Sequence, residues 1–115
     1  MNRKTFVDTV RLVVRDAAAT NTISNLTRPP GRQPEKELSL LSTWFNGLDF
    51  GERQKVEMVV AMAAGDAVFG FLCVLDGCRA IEDGSQKGTL DLRYRRDNGD
   101  MSLTDGNGEM LHDLL

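Results

Sequence analysis

The sequence predicts an α+β domain in which a three-helix N-terminal part, with a buried central helix, packs on a small antiparallel sheet. Two observations predict the helices: apolar residues recur every three or four positions near the N-terminus, and an almost wholly apolar run extends from Phe50 to Leu75. The sheet is predicted by a C-terminal alternation of apolar and polar residues around Asn98-Gly99. The 115 residues suffice for one domain, spanning residues 1–115, with its own core.

The first helix is predicted over about residues 5–19, with Thr5 and Asp8 as a variant capping signal. Residues 20–36 contain asparagines, a glycine and the three prolines, and they are predicted to form a loop. A second amphipathic helix is predicted over about residues 35–46. Its apolar stripe, which includes the single tryptophan, is expected in the core: Leu38, Leu41, Trp44, Phe45 and Leu48.

The third helix is predicted over residues 50–75, capped by Asp49 at its start and ended by Gly77. Apolar residues lie on every side of it after Met58, which is typical of a helix that is buried all round. The run is also long enough to cross a membrane. Asp66 near its centre opposes insertion by about 2.5–3.5 kcal/mol, so we expect no membrane association.

The C-terminal third is predicted to contain strands at about residues 78–82, 89–96 and 101–104. A type I′ turn centred on Asn98-Gly99 pairs Tyr94 with Leu103 and Arg96 with Met101. The pattern of the last seven residues fits either a helix or a strand.

Charge is unevenly distributed, although the net charge is only −3. Residues 76–115 carry five Lys and Arg against nine Asp and Glu, a net charge of −4. An acidic segment of this kind attracts a basic protein partner, whereas the absence of an overall basic surface makes nucleic-acid binding an unfavoured prediction. No secretory signal pattern is present at the N-terminus, so we expect a cytoplasmic protein with Cys73 and Cys78 reduced.

Asp66 is the most unusual residue, because it interrupts an apolar helix. A buried carboxylate must be paired, hydrogen-bonded or protonated, and it is therefore a candidate pocket residue, general acid/base or ligand contact. The structural alternatives are an ion pair with Arg11 or Arg15 of the first helix, or a position where the edge of the helix reaches solvent.

Other groups give weaker indications of chemistry. Arg93, Arg95, Asp97 and Asp100 on and around the hairpin form a candidate interaction surface for phosphate, an acidic patch or a weakly held cation. Cys78, His112 and Asp113 supply the residue types of a thiol–imidazole–carboxylate set, but not at a diagnostic spacing. No catalytic residue, metal site or cofactor is predicted.

Two segments carry a resemblance to a known group of proteins. Residues Phe69 to Gly77 (FGFLCVLDG) and Leu111 to Leu115 (LHDLL) resemble small uncharacterised bacterial proteins, and comparable domains occur among immunity proteins that neutralise toxins of neighbouring bacteria. The resemblance implies a non-enzymatic protein-interaction module, with a basic toxin domain as partner or a homo-oligomeric state. The alternatives are a small-ligand-binding domain or small enzyme with a pocket near Asp66, and a nucleic-acid-associated regulator.

Overall fold

The computed structural model describes all 115 residues and confirms the α+β class. In chain order its elements are α1 (Arg3–Val10), a π-helical segment (Arg11–Asp16), α2 (Ala17–Thr27), α3 (Lys36–Asn46), α4 (Phe50–Leu75), β1 (Arg93–Arg96), β2 (Gly99–Ser102) and α5 (Leu111–Leu114). The residues group into two compact units: a helical unit, Val13–Gly65, and a terminal unit, Met1–Leu12 with Asp66–Leu115. The single domain over residues 1–115 stays a prediction.

The N-terminal helical stretch is longer than predicted, since it continues from Arg3 to Thr27. Its cap is Asn2 rather than Thr5: the Asn2 side-chain oxygen accepts a hydrogen bond from the Thr5 amide at 2.8 Å. The stretch therefore includes residues 20–27, which were predicted to be loop. It ends at Thr27 because Arg28 adopts the extended conformation favoured immediately before a proline.

In the helical unit, α2 packs against α3. Leu26 and Phe45 are buried there, and the Asn46 side-chain amide donates to the Thr27 carbonyl at 3.1 Å. Trp44 and Leu41 are more than half exposed, so their predicted place in the core is wrong. Only part of the apolar stripe of α3 is therefore buried.

Helix α4 has the predicted bounds, and its first turn is capped as predicted. The Asp49 carboxylate accepts a hydrogen bond from the Glu52 amide at 2.8 Å, and Gly77 adopts a φ of 81° beyond the C-terminal end. The prediction that α4 is buried is wrong, because only 22% of its most apolar 18-residue window is buried. To surround 26 helical residues on every side requires more secondary structure than short helices and one hairpin supply.

The core of the terminal unit consists of Val7, Val68, Leu72, Leu103 and Leu111, all buried. Within this unit α1 packs against α5. Two arginines of the N-terminal stretch also hold the C-terminal residues. Arg11 Nη2 donates to the main-chain oxygens of Leu114 and Leu115 at 2.8 and 2.7 Å, and Arg3 Nη1 donates to that of Glu109 at 2.8 Å.

The C-terminal hairpin forms with a register that differs from the predicted one. Arg96 pairs with Gly99 and Tyr94 with Met101, so the loop residues are Asp97 and Asn98. No residue other than glycine has a positive φ, so Asn98 does not adopt the left-handed conformation that a type I′ turn requires. The difference moves each partner by two residues, which leaves every side chain on its predicted face.

The predicted strand at residues 78–82 is absent, and every residue from 77 to 91 is exposed. This stretch has no strand beside it with which to form a ladder, because the sheet contains β1 and β2 alone. Residues 111–114, for which helix and strand were both open, form the short helix α5.

Candidate interaction surface

One face of α4 is turned to solvent along most of the helix. Its residues are spaced alternately three and four positions apart, which places them on one side of a helix. They are Glu52, Lys55, Val59, Met62, Asp66 and Phe69, and we call them the α4 seam. All six are exposed, Val59 and Met62 to 64% and 65%. Met58, which borders the seam, is equally exposed.

The apolar side chains on and beside this face, Met58, Val59, Met62 and Phe69, are exposed to water, which is energetically unfavourable. Burying a single Val, Met or Phe side chain contributes roughly 1.5–3 kcal/mol, so covering the α4 seam is worth several times that amount. Contiguous exposed apolar patches commonly mark contacts with proteins or membranes. The α4 seam is therefore the strongest candidate for a functional surface.

By length and composition, α4 also meets the criteria for a membrane-spanning helix, with a mean hydropathy of 2.2 over 18 residues. The core helix of a water-soluble protein meets the same criteria, so one such helix is weak evidence of insertion. Within the 20 residues from Val56 to Leu75, the two acidic residues Glu57 and Asp66 oppose transfer to hydrocarbon.

Asp66 lies in the middle of the α4 seam and is exposed, so the prediction that it is buried is wrong. Neither of the two predicted arginines pairs with it: Arg11 contacts Asp8 at 2.7 Å and Arg15 contacts Asp16 at 2.8 Å. Asp66 accepts no hydrogen bond within the chain. The apolar helix therefore accommodates this carboxylate on its exposed side, and not in a buried ion pair.

The predicted hairpin surface is partly assembled by the structure. Arg93 contacts Asp91 at 2.6 Å and Asp100 at 3.5 Å, while Arg95 lies 3.9 Å from Asp100. The Ser102 hydroxyl and Arg93 both hydrogen-bond to Asp91 and lower the pKa of its carboxyl group. These charges largely neutralise one another, and Asp97 on the loop forms no ion pair with them. The hairpin therefore presents little uncompensated charge to a partner.

Sequence reasoning did not identify Asp76, whose carboxylate is only 2% exposed and organises the C-terminal residues. It accepts hydrogen bonds from the Leu111 and His112 amides at 2.9 and 2.8 Å, and lies 2.7 Å from His112 Nδ1. Asp76 thus caps α5 from a distance. One signal for it existed: a carboxylate at the C-terminal end of a helix opposes the helix dipole and needs donors elsewhere.

Cys78 lies beside this cluster, with its sulfur 3.9 Å from His112 Nδ1 and 3.4 Å from Met110 Sδ. Loss of hydration, and then the charge of Asp76, raise the pKa of the Cys78 thiol. A nucleophilic cysteine requires the opposite shift. His112 Nδ1, which faces the thiol, is already in contact with the Asp76 carboxylate, so no free imidazole nitrogen faces the thiol. The cluster is suited to holding α5 in place rather than to nucleophilic catalysis.

Asp66 lines none of the three best-defined clefts. The largest of these three, about 540 Å³, lies in the terminal unit and is bordered by Arg79, Glu82 and Lys87. A cleft of about 300 Å³ in the helical unit is lined by α2 residues and Glu57. No group of three or more His, Cys, Asp or Glu side chains is arranged to hold a metal ion.

Compared with known proteins, the chain matches no protein-family model, no curated protein and no solved structure. The function must therefore be inferred from the chain's own geometry. The resemblance to immunity-type proteins stays a prediction.

Proposed function

We propose that this chain is a non-enzymatic protein-interaction module that binds its partner through the α4 seam. The strongest support for this is the exposure of Val59, Met62 and the neighbouring Met58. They lie in a stretch of α4, residues 58–62, that contains no polar side chain. A partner surface that covers these side chains removes their contact with water. The seam also carries Lys55 and Asp66, which give such a contact direction and specificity.

The chemistry of the polar groups supports a binding role over a catalytic one. The thiol of Cys78 has a raised pKa, and the carboxylate of Asp76 is engaged by two main-chain amides. Asp66 borders no described cleft in which a substrate would be enclosed. The proposal of a small enzyme or ligand-binding domain centred on Asp66 consequently has less support than an interaction surface.

The proposal of a toxin-neutralising role concerns a different part of the chain. Residues 76–115 have a net charge of −4, which favours a basic partner. Around the hairpin, however, Asp91 and Asp100 are already paired with arginines. Several exposed acidic residues form no ion pair with an arginine, among them Glu82, Asp83 and Asp97, and these are available to a basic domain.

Site-specific photo-crosslinking in the producing cells tests the interaction function. A photoreactive amino acid replaces Met62 in the full chain, and the matched control carries it at Gln86, which is exposed but outside the helix. We expect a discrete protein adduct from position 62 and none from position 86. Equal labelling at the two positions, or adducts to lipid alone from position 62, would contradict the proposal.

A further inference from the structure

The α4 seam has an internal symmetry that is compatible with a two-fold contact. Its successive spacings are three, four, three, four and three residues, so the pattern is the same in both directions about the point between residues 60 and 61. This is the a/d spacing of a coiled-coil contact. Resting on the proposed function, we infer that the partner of the seam is a second copy of this chain, bound antiparallel about a two-fold axis through that point.

The antiparallel arrangement matches the four central seam residues with complementary ones, and it places Glu52 opposite Phe69 at each end. It places Val59 of each copy against Met62 of the other, which buries the four most central apolar side chains. It also places Lys55 of each copy against Asp66 of the other. A two-fold contact of this kind is closed, because each copy offers the same patch and every contact occurs twice.

The two charged residues support a second copy over an unrelated partner. Neither Lys55 nor Asp66 forms an ion pair within the chain, so both charges are available to a second copy. Both are exposed and lie equally far from the symmetry point. The chain thus carries, on a single face, a cation and the anion that complements it in a second copy.

The charges of Lys55 and Asp66 also favour the antiparallel orientation over the parallel one. A parallel pair places Lys55 against Lys55 and Asp66 against Asp66, and like charges facing each other in a seam are destabilising. The residues that border the seam add no opposing charge: Met58 and Ala63 exchange places under the same two-fold axis. Glu57 lies on another side of α4, where it lines the cleft with α2 residues.

A charge-reversal experiment tests the pairing. Sedimentation equilibrium of the purified full chain measures the dimer dissociation constant for wild type, K55D and D66K. We expect the wild-type chain to be a dimer. The dissociation constant of each single variant is expected to be at least about tenfold larger, because each substitution brings like charges together twice. An equimolar mixture of K55D and D66K restores opposite charges at both contacts, and a one-to-one heterodimer is expected to recover.

Since both positions are exposed, neither substitution disturbs the core, and circular dichroism of each variant verifies the helix content. A wild-type chain that stays monomeric at high concentration contradicts the inference. So does a dimer that neither reversal weakens, or a mixture that fails to form the heterodimer.

Disulfide trapping tests the orientation independently. In a background with Cys73→Ala and Cys78→Ser, chains carrying K55C or D66C are oxidised separately and together. Antiparallel pairing separates like positions by eleven residues, about 16 Å along the helix, so each single variant alone remains uncrosslinked. Only the mixture of the two variants is expected to form a disulfide-linked dimer. Crosslinking of either variant with itself overturns the antiparallel arrangement.

The outcomes separate this inference from the proposed function. A photo-adduct from position 62 with a protein of a different mass, together with a monomeric purified chain, retains the interaction function and overturns the second copy. Partition of the purified chain into neutral phosphatidylcholine vesicles, with no protein adduct, overturns both.

Discussion

Two stretches of α4 contain no charged side chain, residues 58–62 in its N-terminal half and residues 67–75 in its C-terminal half, yet the structure treats them differently. In the C-terminal half, Val68, Leu72 and Cys73 are buried in the terminal unit. In the N-terminal half, Met58, Val59 and Met62 face solvent. Composition alone therefore does not determine burial; the availability of packing elements does. The comparison also teaches that an apolar helix can combine a stabilising role at one end with a binding surface at the other.

Substitutions at matched positions provide the largest test of this comparison. Leu72 is 1% exposed, so Leu72→Ala is expected to lower the free energy of unfolding by about 2–5 kcal/mol through lost burial and a cavity. Met62→Ala, measured at a dilution where the chain is monomeric, is expected to change it by less than about 0.5 kcal/mol. Urea denaturation measures both. Similar losses at the two positions would show that the N-terminal half is packed in solution.

The second test concerns the polar contacts that fix the terminal unit. Asp76→Ala leaves the Leu111 and His112 amides without their acceptor, and a loss of about 2 kcal/mol is expected. Hydrogen exchange at these two amides should accelerate accordingly. Asp113→Ala is the matched control, because that side chain is exposed and contacts only His112 Nε2 at 3.3 Å. Unchanged exchange in the Asp76 variant would show that α5 is held without this cap.

Features that depend on interactions between neighbouring residues could be predicted from the sequence, and features that depend on distant residues could not. The start and end of α4 were predictable, because Asp49 and Gly77 act on neighbouring residues. The α+β class and the hairpin were predictable for the same reason. The exposure of Asp66 and Trp44 was not, since it depends on which faces find a partner elsewhere in the chain. Asp76 was missed because the amides that it accepts from are about 35 residues away in sequence.

Substitutions at two glycines of α4 test the same comparison, with smaller expected changes in stability. A Cβ at Gly65 would lie no closer than 3.8 Å to any side chain, so Gly65→Ala is expected to stabilise the helix by about 0.5–1 kcal/mol. A Cβ at Gly70 would overlap the Arg79 guanidinium, and displacing that group offsets the same gain. Thermal unfolding of the two variants should therefore rank Gly65→Ala above Gly70→Ala. The reverse order would indicate that Gly65 needs close contact with another helix.

The smallest expected effect is the response of the hairpin to acid. The pKa of Asp91 is lowered by hydrogen bonds from Ser102 and Arg93, and that of Asp105 by hydrogen bonding to the Asn107 amide. Because these folded-state pKa values lie below the usual 3.8, their stabilisation is present above that pH and is lost as pH falls through the lowered values. NMR shifts of Arg93 and Ser102 should change in that range. The Asp91→Asn variant should show no such titration at Ser102, whose hydroxyl donates to Asp91.

The π-helical segment Arg11–Asp16 has a bearing on how the chain tolerates insertions and deletions. A π-helical turn contains one residue more than an α-helical turn, so removing a single residue there restores regular α-helix. Because the wide turn absorbs the extra residue, side chains after the deletion keep nearly the directions that they have now. Leu26 would therefore retain its buried position. The chain should accept deletion of exposed Val13 far more readily than deletion of Ala18 in α2, which rotates all later side chains of the helix by about 100°.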